Sequence, residues 1–238
     1  MTASLKDRTV LVVGRDGGIA RQIALSAREA GARVVAAGRN QAALESAYEG
    51  LHITDEYVDL TDEASIDVLG ERLGTVDHVV STASARAKGR LADLDREAVR
   101  LAFDTKVIGP MMLAKHLAPR MPHDGSFVFF SGATAVKPVV GFLAVTGTNS
   151  AVDGVIRSLA LELAPIRVNA VSPGTIDSGA WDALGEQAKA EFFRNTSARN
   201  PARRIGTVSD VAEAVLFALT STFLTGVTLG IDGGEPLT

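Results

Sequence analysis

The run Thr9-Val10-Leu11-Val12-Val13, followed at once by Gly14-Arg15-Asp16-Gly17-Gly18-Ile19-Ala20, decides how the rest of the chain is read. Five aliphatic or β-branched residues in a row suit a strand buried on both faces. The glycines end it, and residues 19–30 then carry helical spacing up to Gly31, a residue type that commonly stops a helix. A strand, a glycine turn and a helix in that order open a βαβ unit. Such a turn lets backbone N–H groups approach a phosphate with no Cβ in the way, and the helix N-terminus adds partial positive charge. The same glycines also suit a purely structural turn, so their place at the first βα junction carries the argument.

Outward from this unit the pattern repeats. Further strands are predicted at residues 33–37, 56–58, 76–80, 126–130, 167–171 and 227–231. Helices are predicted from the Asn40 N-cap through Ala47, at 63–73, over much of 93–118, at 145–163 up to Pro165, and at 209–219. Alternation of this kind predicts an α/β fold: a doubly wound, seven-stranded parallel sheet with helices on both faces, a Rossmann fold, in a single domain over residues 1–238. Residues 175–207 read as one long irregular segment, a substrate loop or lid. Trp181, Phe192 and Phe193 on it either line a pocket or pack as ordinary apolar residues.

Composition narrows the function classes. Hydrophobic residues make up 46% of the chain but aromatics only 5%, so Ala and Val do most of the packing, as close helix–sheet contact requires. A net charge of −4 argues against a nucleic-acid or anionic-membrane partner. Without cysteine there is no disulfide, thiolate metal site or cysteine nucleophile. His52, His78, His116 and His123 lack ligand spacing, so no metal is expected. Residues 1–7 are polar, with no apolar signal core, and the apolar runs are strand-length; a cytoplasmic protein is expected.

The second predicted strand runs into Gly38-Arg39-Asn40. A site for a ribose 2′-hydroxyl wants an acid there. None is present, and the Arg39 guanidinium suits a 2′-phosphate, with Arg15 in the glycine turn able to approach the same group. This favours NADP over NAD; two solvated loop arginines are the plainer alternative.

Several stretches together resemble the short-chain dehydrogenase/reductase family. Gly14, Gly18, Ile19 and Ala20 are similar to its glycine-rich turn, and Val58-Asp59-Leu60 to the segment whose Asp bonds adenine. Ser81-Thr82-Ala83-Ser84 stands where the family has Asn-Asn-Ala-Gly, and residues 158–165 resemble the end of the family's helix before the sixth strand. Residues 166–174, ending Ser172-Pro173-Gly174, resemble that strand and the Pro-Gly beside nicotinamide, with Ile176 and Ser178 following; Thr225-Gly226-Val227 and Ile231-Asp232-Gly233-Gly234 resemble its C-terminal strand. The resemblance spans essentially the whole chain. It implies that Gly14, Arg15, Gly18, Ile19 and Arg39, then Asp59, Leu60, Ser81 and Ala83, then Pro173, Gly174, Ile176 and Ser178 hold the cofactor. It also implies self-association as a homodimer or homotetramer, through the helices at 103–118 and 145–163 and the last strand.

The family's catalytic residues do not carry over. Its Tyr and Lys positions fall on Val145 and Asn149, its Ser on Gly132 beside Ser131, and its Asn on Lys106. The only tyrosines, Tyr48 and Tyr57, precede the fourth strand and have His52 and Thr61 four residues on. Candidate catalytic groups are therefore Ser131 and Thr146 as hydroxyls, Asn149 as a hydrogen-bonding amide, and Lys106 as a cation re-supplied from another helix. Each has a plain alternative: a satisfied loop hydroxyl, or a solvated helix lysine. Two functions follow. One is an NADPH-dependent reductase with a non-standard active site, acting on C=O, C=N or C=C of a small molecule. The other is a non-catalytic NADP-binding sensor or partner subunit.

Overall fold

A computed structural model describes residues 4–238; Met1, Thr2 and Ala3, the start of the polar N-terminus, lie outside the described residues. Seven parallel strands form the main sheet: β1 (Thr9–Val13), β2 (Arg33–Gly38), β3 (Thr54–Tyr57), β4 (His78–Ser81), β5 (Ser126–Phe130), β6 (Arg167–Pro173) and, last in the chain, Thr228–Ile231. Their order in space is β3-β2-β1-β4-β5-β6 and then that last strand. Connections run outward in opposite directions from β1 and β4, so a crevice opens between them at the C-terminal edge of the sheet.

Alternation along each strand divides the core. Val10 and Val12 of β1 join Val128 of β5 in one apolar layer, and Leu11 and Val13 join Phe127 and Phe129 in the other. The first layer is closed by α1 (Gly18–Glu29) with Ile23, Ala24 and Ala27, by Leu44 and Tyr48 of α2 (Gln41–Tyr48), and by a late helix, Val208–Thr220, with Val211 and Val215. The second is closed by α3 (Glu63–Leu73), by α5 (Gly109–Leu117) with Leu113 and Leu117, and by α6 (Leu143–Glu162) with Val152 and Ile156. Burying each Leu or Ile here contributes roughly 1.5–3 kcal/mol. β3, at the sheet edge, has no fully buried residue, which is why no apolar run marks it and its predicted span falls two residues late at its start.

Two departures bear on the site. The stretch from α4 (Arg96–Phe103) to α5 contains a π turn, Asp104–Ile108. Residues 175–207 are not irregular. They hold the two-residue strand β7 (Ile176–Asp177), the 14-residue helix α7 (Glu186–Arg199) and β8 (Gly206–Thr207), which pairs with β7. Helical periodicity failed there because α7 buries only Thr196 fully and presents no continuous apolar stripe. The late helix is therefore α8 and the last strand β9. Among the described residues no helix is long and apolar enough to cross a membrane.

Candidate active site

The glycine turn is built to exclude side chains. A Cβ on Gly14 would collide with the Thr82 hydroxyl at the end of β4. Gly18 sits at φ +57°, and a Cβ there would lie 2.6 Å from the Ser178 carbonyl oxygen. Gly17, between them, faces open space. The turn is thus tight on its protein side and clear on its outer side, which is what a phosphate at the N-terminus of α1 needs. Gly18 and Ser178, distant in sequence, thus meet at this turn. Arg15 and Arg39 are exposed at the ends of β1 and β2, and no ion pair among the described residues engages either. Ile19 packs partly on the core beneath the turn.

The remaining sequence-predicted contacts divide. Asp59 is half-buried, and its Oδ1 accepts hydrogen bonds from the Thr61 N–H and hydroxyl at 2.9 and 2.8 Å. Gly174 closes on the C-terminal tail: a Cβ there would lie 2.7 Å from Glu235, whose carboxylate accepts from the Thr175 N–H at 2.8 Å. Pro173 ends β6 beside Ile231. Ser81 is buried at the end of β4, and Ala83 packs on the core just after it. The side chains of Leu60 and Ile176 are buried in the apolar layers, and the Ile176 carbonyl accepts from the Trp181 indole at 3.1 Å. Trp181 and Phe192 stack on each other with centroids 4.6 Å apart, pinning the start of the 175–207 segment to α7.

On the other side of the crevice three of the four candidate groups form one network. The Lys106 ammonium, on the π turn, donates to the Ser131 carbonyl at 3.0 Å. The Ser131 hydroxyl donates to the Asn149 backbone carbonyl at 3.1 Å, and the Asn149 amide donates to the Thr134 hydroxyl at 2.7 Å. Lys106 is only 7% exposed, which removes the solvated-lysine alternative. Burial, then the charge of Arg86, pushes its pKa down to about 7, against a smaller opposing pull from Asp153. A π turn widens the helix by one residue and is often found at functional sites; here it holds Lys106 against the end of β5. Ser131 is the satisfied hydroxyl of the two alternatives. Thr146 lies one turn before Asn149 on α6, outside the network.

Among the described residues, the buried side-chain polar atoms without a hydrogen-bond partner are Ser81 Oγ at the end of β4, Arg120 Nε, and Thr146 Oγ1 and Asn149 Oδ1 on α6. Tyr48 and Tyr57 lie on α2 and β3, toward the opposite edge of the sheet from β5 and α6; burial pushes the Tyr48 phenol up to about 12. Sequence reasoning missed Arg86, which follows β4 outside any motif, and Glu235, which only the fold brings to Thr175.

The family model described as Enoyl-(Acyl carrier protein) reductase matches residues 13–235. A short-chain dehydrogenase/reductase of Stachybotrys chlorohalonatus is 30% identical over 97% of this chain and 98% of that protein. Among solved structures, the MalC reductase/Diels-Alderase of Malbranchea aurantiaca superposes with a TM-score of 0.92 at 27% identity, covering 98% of each chain. A small-chain dehydrogenase in complex with NADPH superposes at 0.80 with 28% identity, covering 97% of this chain and 99% of that one.

Proposed function

The chain belongs to the short-chain dehydrogenase/reductase family, and from that premise we propose that it is an NADP(H)-dependent oxidoreductase whose reacting proton comes from Lys106 and not from a Tyr–Lys pair on α6. The observation that carries this reading is a lysine buried on a π turn, fixed on the Ser131 carbonyl, in a network with the α6 residue Asn149. A buried cation costs stability, and a protein that only senses a cofactor has no use for that expense.

The glycine turn would receive the pyrophosphate, and Arg39 with Arg15 the 2′-phosphate; the clear space at Gly17 and the absence of an acid at the end of β2 fit that group. An NADPH-bound relative supports the same choice. When bound, NADPH supplies a hydride. The chain's part is to position the acceptor and move a proton. An ammonium whose pKa lies near 7 is an acid of useful strength at neutral pH, and its neutral form is accessible after the proton leaves. The Ser131 carbonyl holds it in place in both forms. A C=O or C=C acceptor takes that proton; a C=N acceptor already protonated needs none.

Self-association belongs to this proposal. Leu101, Ile108 and Met111 are exposed along α4 to α5, and Leu161, Phe217 and Phe223 on α6 and around α8, forming apolar faces of the kind that pair in a closed dimer or tetramer. Light scattering should give a multiple of 24.8 kDa; a monomer at micromolar concentration overturns this part. For the reaction, a panel of ketones, imines and enones is offered with NADPH and read by absorbance loss. Turnover that Lys106→Met reduces at least tenfold supports the proposal; turnover unchanged by it overturns the role of Lys106.

A further inference from the structure

β4 ends at Ser81 between β1 and β5, and the chain then crosses the mouth of the crevice as residues 82–90 before a short helical turn at Leu91–Asp93. This crossing is tied down at three points. The Thr82 N–H donates to the Val13 carbonyl at 2.9 Å. Ala87 is buried with Ala102 of α4 and Ala144 of α6. The Gly89 N–H donates to the Gly141 carbonyl at 3.0 Å, and the Lys88 ammonium lies 5.2 Å over the Phe142 ring. The segment is therefore fixed between the end of β1 and the loop that leads into α6.

Arg86 stands on this fixed segment just before buried Ala87. Its side chain is exposed, and no hydrogen bond or ion pair among the described residues engages it. It is also walled closely enough by protein to be desolvated, the combination expected of a group lining an open cleft. Arg86 is within electrostatic reach of Arg15 on the glycine turn and of Lys106 on the π turn. Arg86 thus stands between two other cations, and no ion pair among the described residues engages Arg15, Arg86 or Lys106. Convergence of like charge is unfavourable and is relieved by an anion.

We propose that Arg86 docks an anionic group of the substrate, a carboxylate or a phosphate, and so restricts the site to acidic small molecules. This rests on the oxidoreductase reading of the same site. An arginine fork matches either anion with two parallel hydrogen bonds, and a fixed backbone loses little freedom in making them. The anion also sets the orientation of the reacting double bond relative to Lys106.

The test uses the NADPH-saturated protein as wild type, Arg86→Leu and Arg86→Lys. The probes are 4-oxopentanoate and 4-oxocyclohexanecarboxylate, each beside its methyl ester, and inorganic phosphate. Calorimetry should find each acid bound at least about tenfold more tightly than its ester by wild type. Arg86→Leu should erase the preference and Arg86→Lys should keep part of it, with the affinity for NADPH held within about twofold, well under the tenfold scale of one such contact. Phosphate competing with the acids, and not with NADPH, extends the site to phosphorylated substrates. Equal binding of acid and ester, no acid binding up to millimolar concentration, or a preference that survives Arg86→Leu overturns the proposal. So does a large loss of NADPH affinity in Arg86→Leu, which assigns the arginine to the cofactor. The two readings fail separately. Turnover of neutral ketones without acid preference removes the anion site and leaves the reductase. Acid preference without hydride transfer to any member of the panel removes the reductase and leaves the anion site.

Discussion

The end of the crevice around β1, α1 and β2 and the end around β5, the π turn and α6 are built under different constraints. At the first, backbone does the work, and backbone geometry tolerates few substitutes: a Cβ at Gly14 or Gly18 meets protein atoms. At the second, side chains do the work, and a charge can be delivered from any element that reaches the same spot. Here α6 carries Val145 and Asn149, and the ammonium that donates to the Ser131 carbonyl is that of Lys106 on the π turn, the group proposed above as the proton source. Sites made of backbone are hard to rewire; sites made of side chains can be rewired with the fold intact.

The largest effect should come from the glycines. Gly18→Ala combines a positive φ with a collision on the Ser178 carbonyl, so NADPH affinity should fall about a hundredfold or more, with a clearly lower melting temperature. Gly17→Ala meets nothing within the protein, and its φ of −147° suits any residue. It should melt with the wild type yet bind NADPH about tenfold more weakly, because only the ligand meets the new methyl group. Equal stability and equal affinity in both variants would mean that the turn is structural only.

Lys106→Met comes next. Unfolded, a lysine keeps its proton to about pH 10.4; folded, Lys106 loses it near 7. The unfolded chain therefore binds more protons between those values, and stability rises with pH across that window, the penalty being full below pH 7. Removing the charge should stabilise by on the order of 3 kcal/mol at pH 6, after about 1 kcal/mol for the lost bond to Ser131, or about 6–12 °C in melting temperature. At pH 10 the gain should nearly vanish. Wild-type turnover should fall as pH rises through about 7, and the variant should lose that limb. His78 acts in a separate window: burial, opposed by Asp77, pushes it down to about 4, so stability is lost as pH falls from about 6.5 to 4, by up to about 3 kcal/mol. His78→Gln should flatten that acid limb in a thermal-melt series without touching the neutral one.

What could be read from the chain follows the same division. The glycine turn, the end of β2 and the strand runs announce themselves locally, because the residues that need special backbone or burial on two faces are neighbours in sequence. The turn's partner Ser178 was legible only through the family resemblance. Lys106 was identified as a candidate, yet nothing local distinguishes a buried helix lysine from a solvated one; only the packing of the π turn on β5 decides it. For Leu60 and Ile176 a motif position names a residue without saying whether side chain or backbone is used there, and their side chains are buried. The helix at Glu186–Arg199 was missed because, largely exposed, it lacks the apolar stripe by which helices are recognised.

Cofactor choice is a smaller lever. Arg39 is exposed, so its contact with a 2′-phosphate is screened and contributes about 1.4 kcal/mol, near tenfold. NADPH should bind at least about tenfold more tightly than NADH. Arg39→Asp should reverse the order, while Gly17→Ala should weaken both cofactors alike. Equal affinities of wild type for the two by calorimetry would leave Arg39 without this role.

The smallest expected effect tests the exchange between the two sources of charge. Val145→Tyr with Asn149→Lys returns a phenol and an ammonium to α6. The new lysine, though, enters a space where Lys106 already holds the Ser131 carbonyl, and the two like charges oppose each other. Adding Lys106→Asn removes that conflict. Tyr is much larger than Val, so overpacking costs about 1–3 kcal/mol and limits the gain. Ketone reduction should therefore stay flat or fall in the double variant and rise only a few-fold above it in the triple variant, with thermal melts confirming that both are folded. A gain already complete in the double variant would show that Lys106 and the α6 position do not share one task. A triple variant no better than the double would place the reacting carbonyl away from α6, and the comparison between a fixed backbone end and a movable side-chain end would then apply to the cofactor alone.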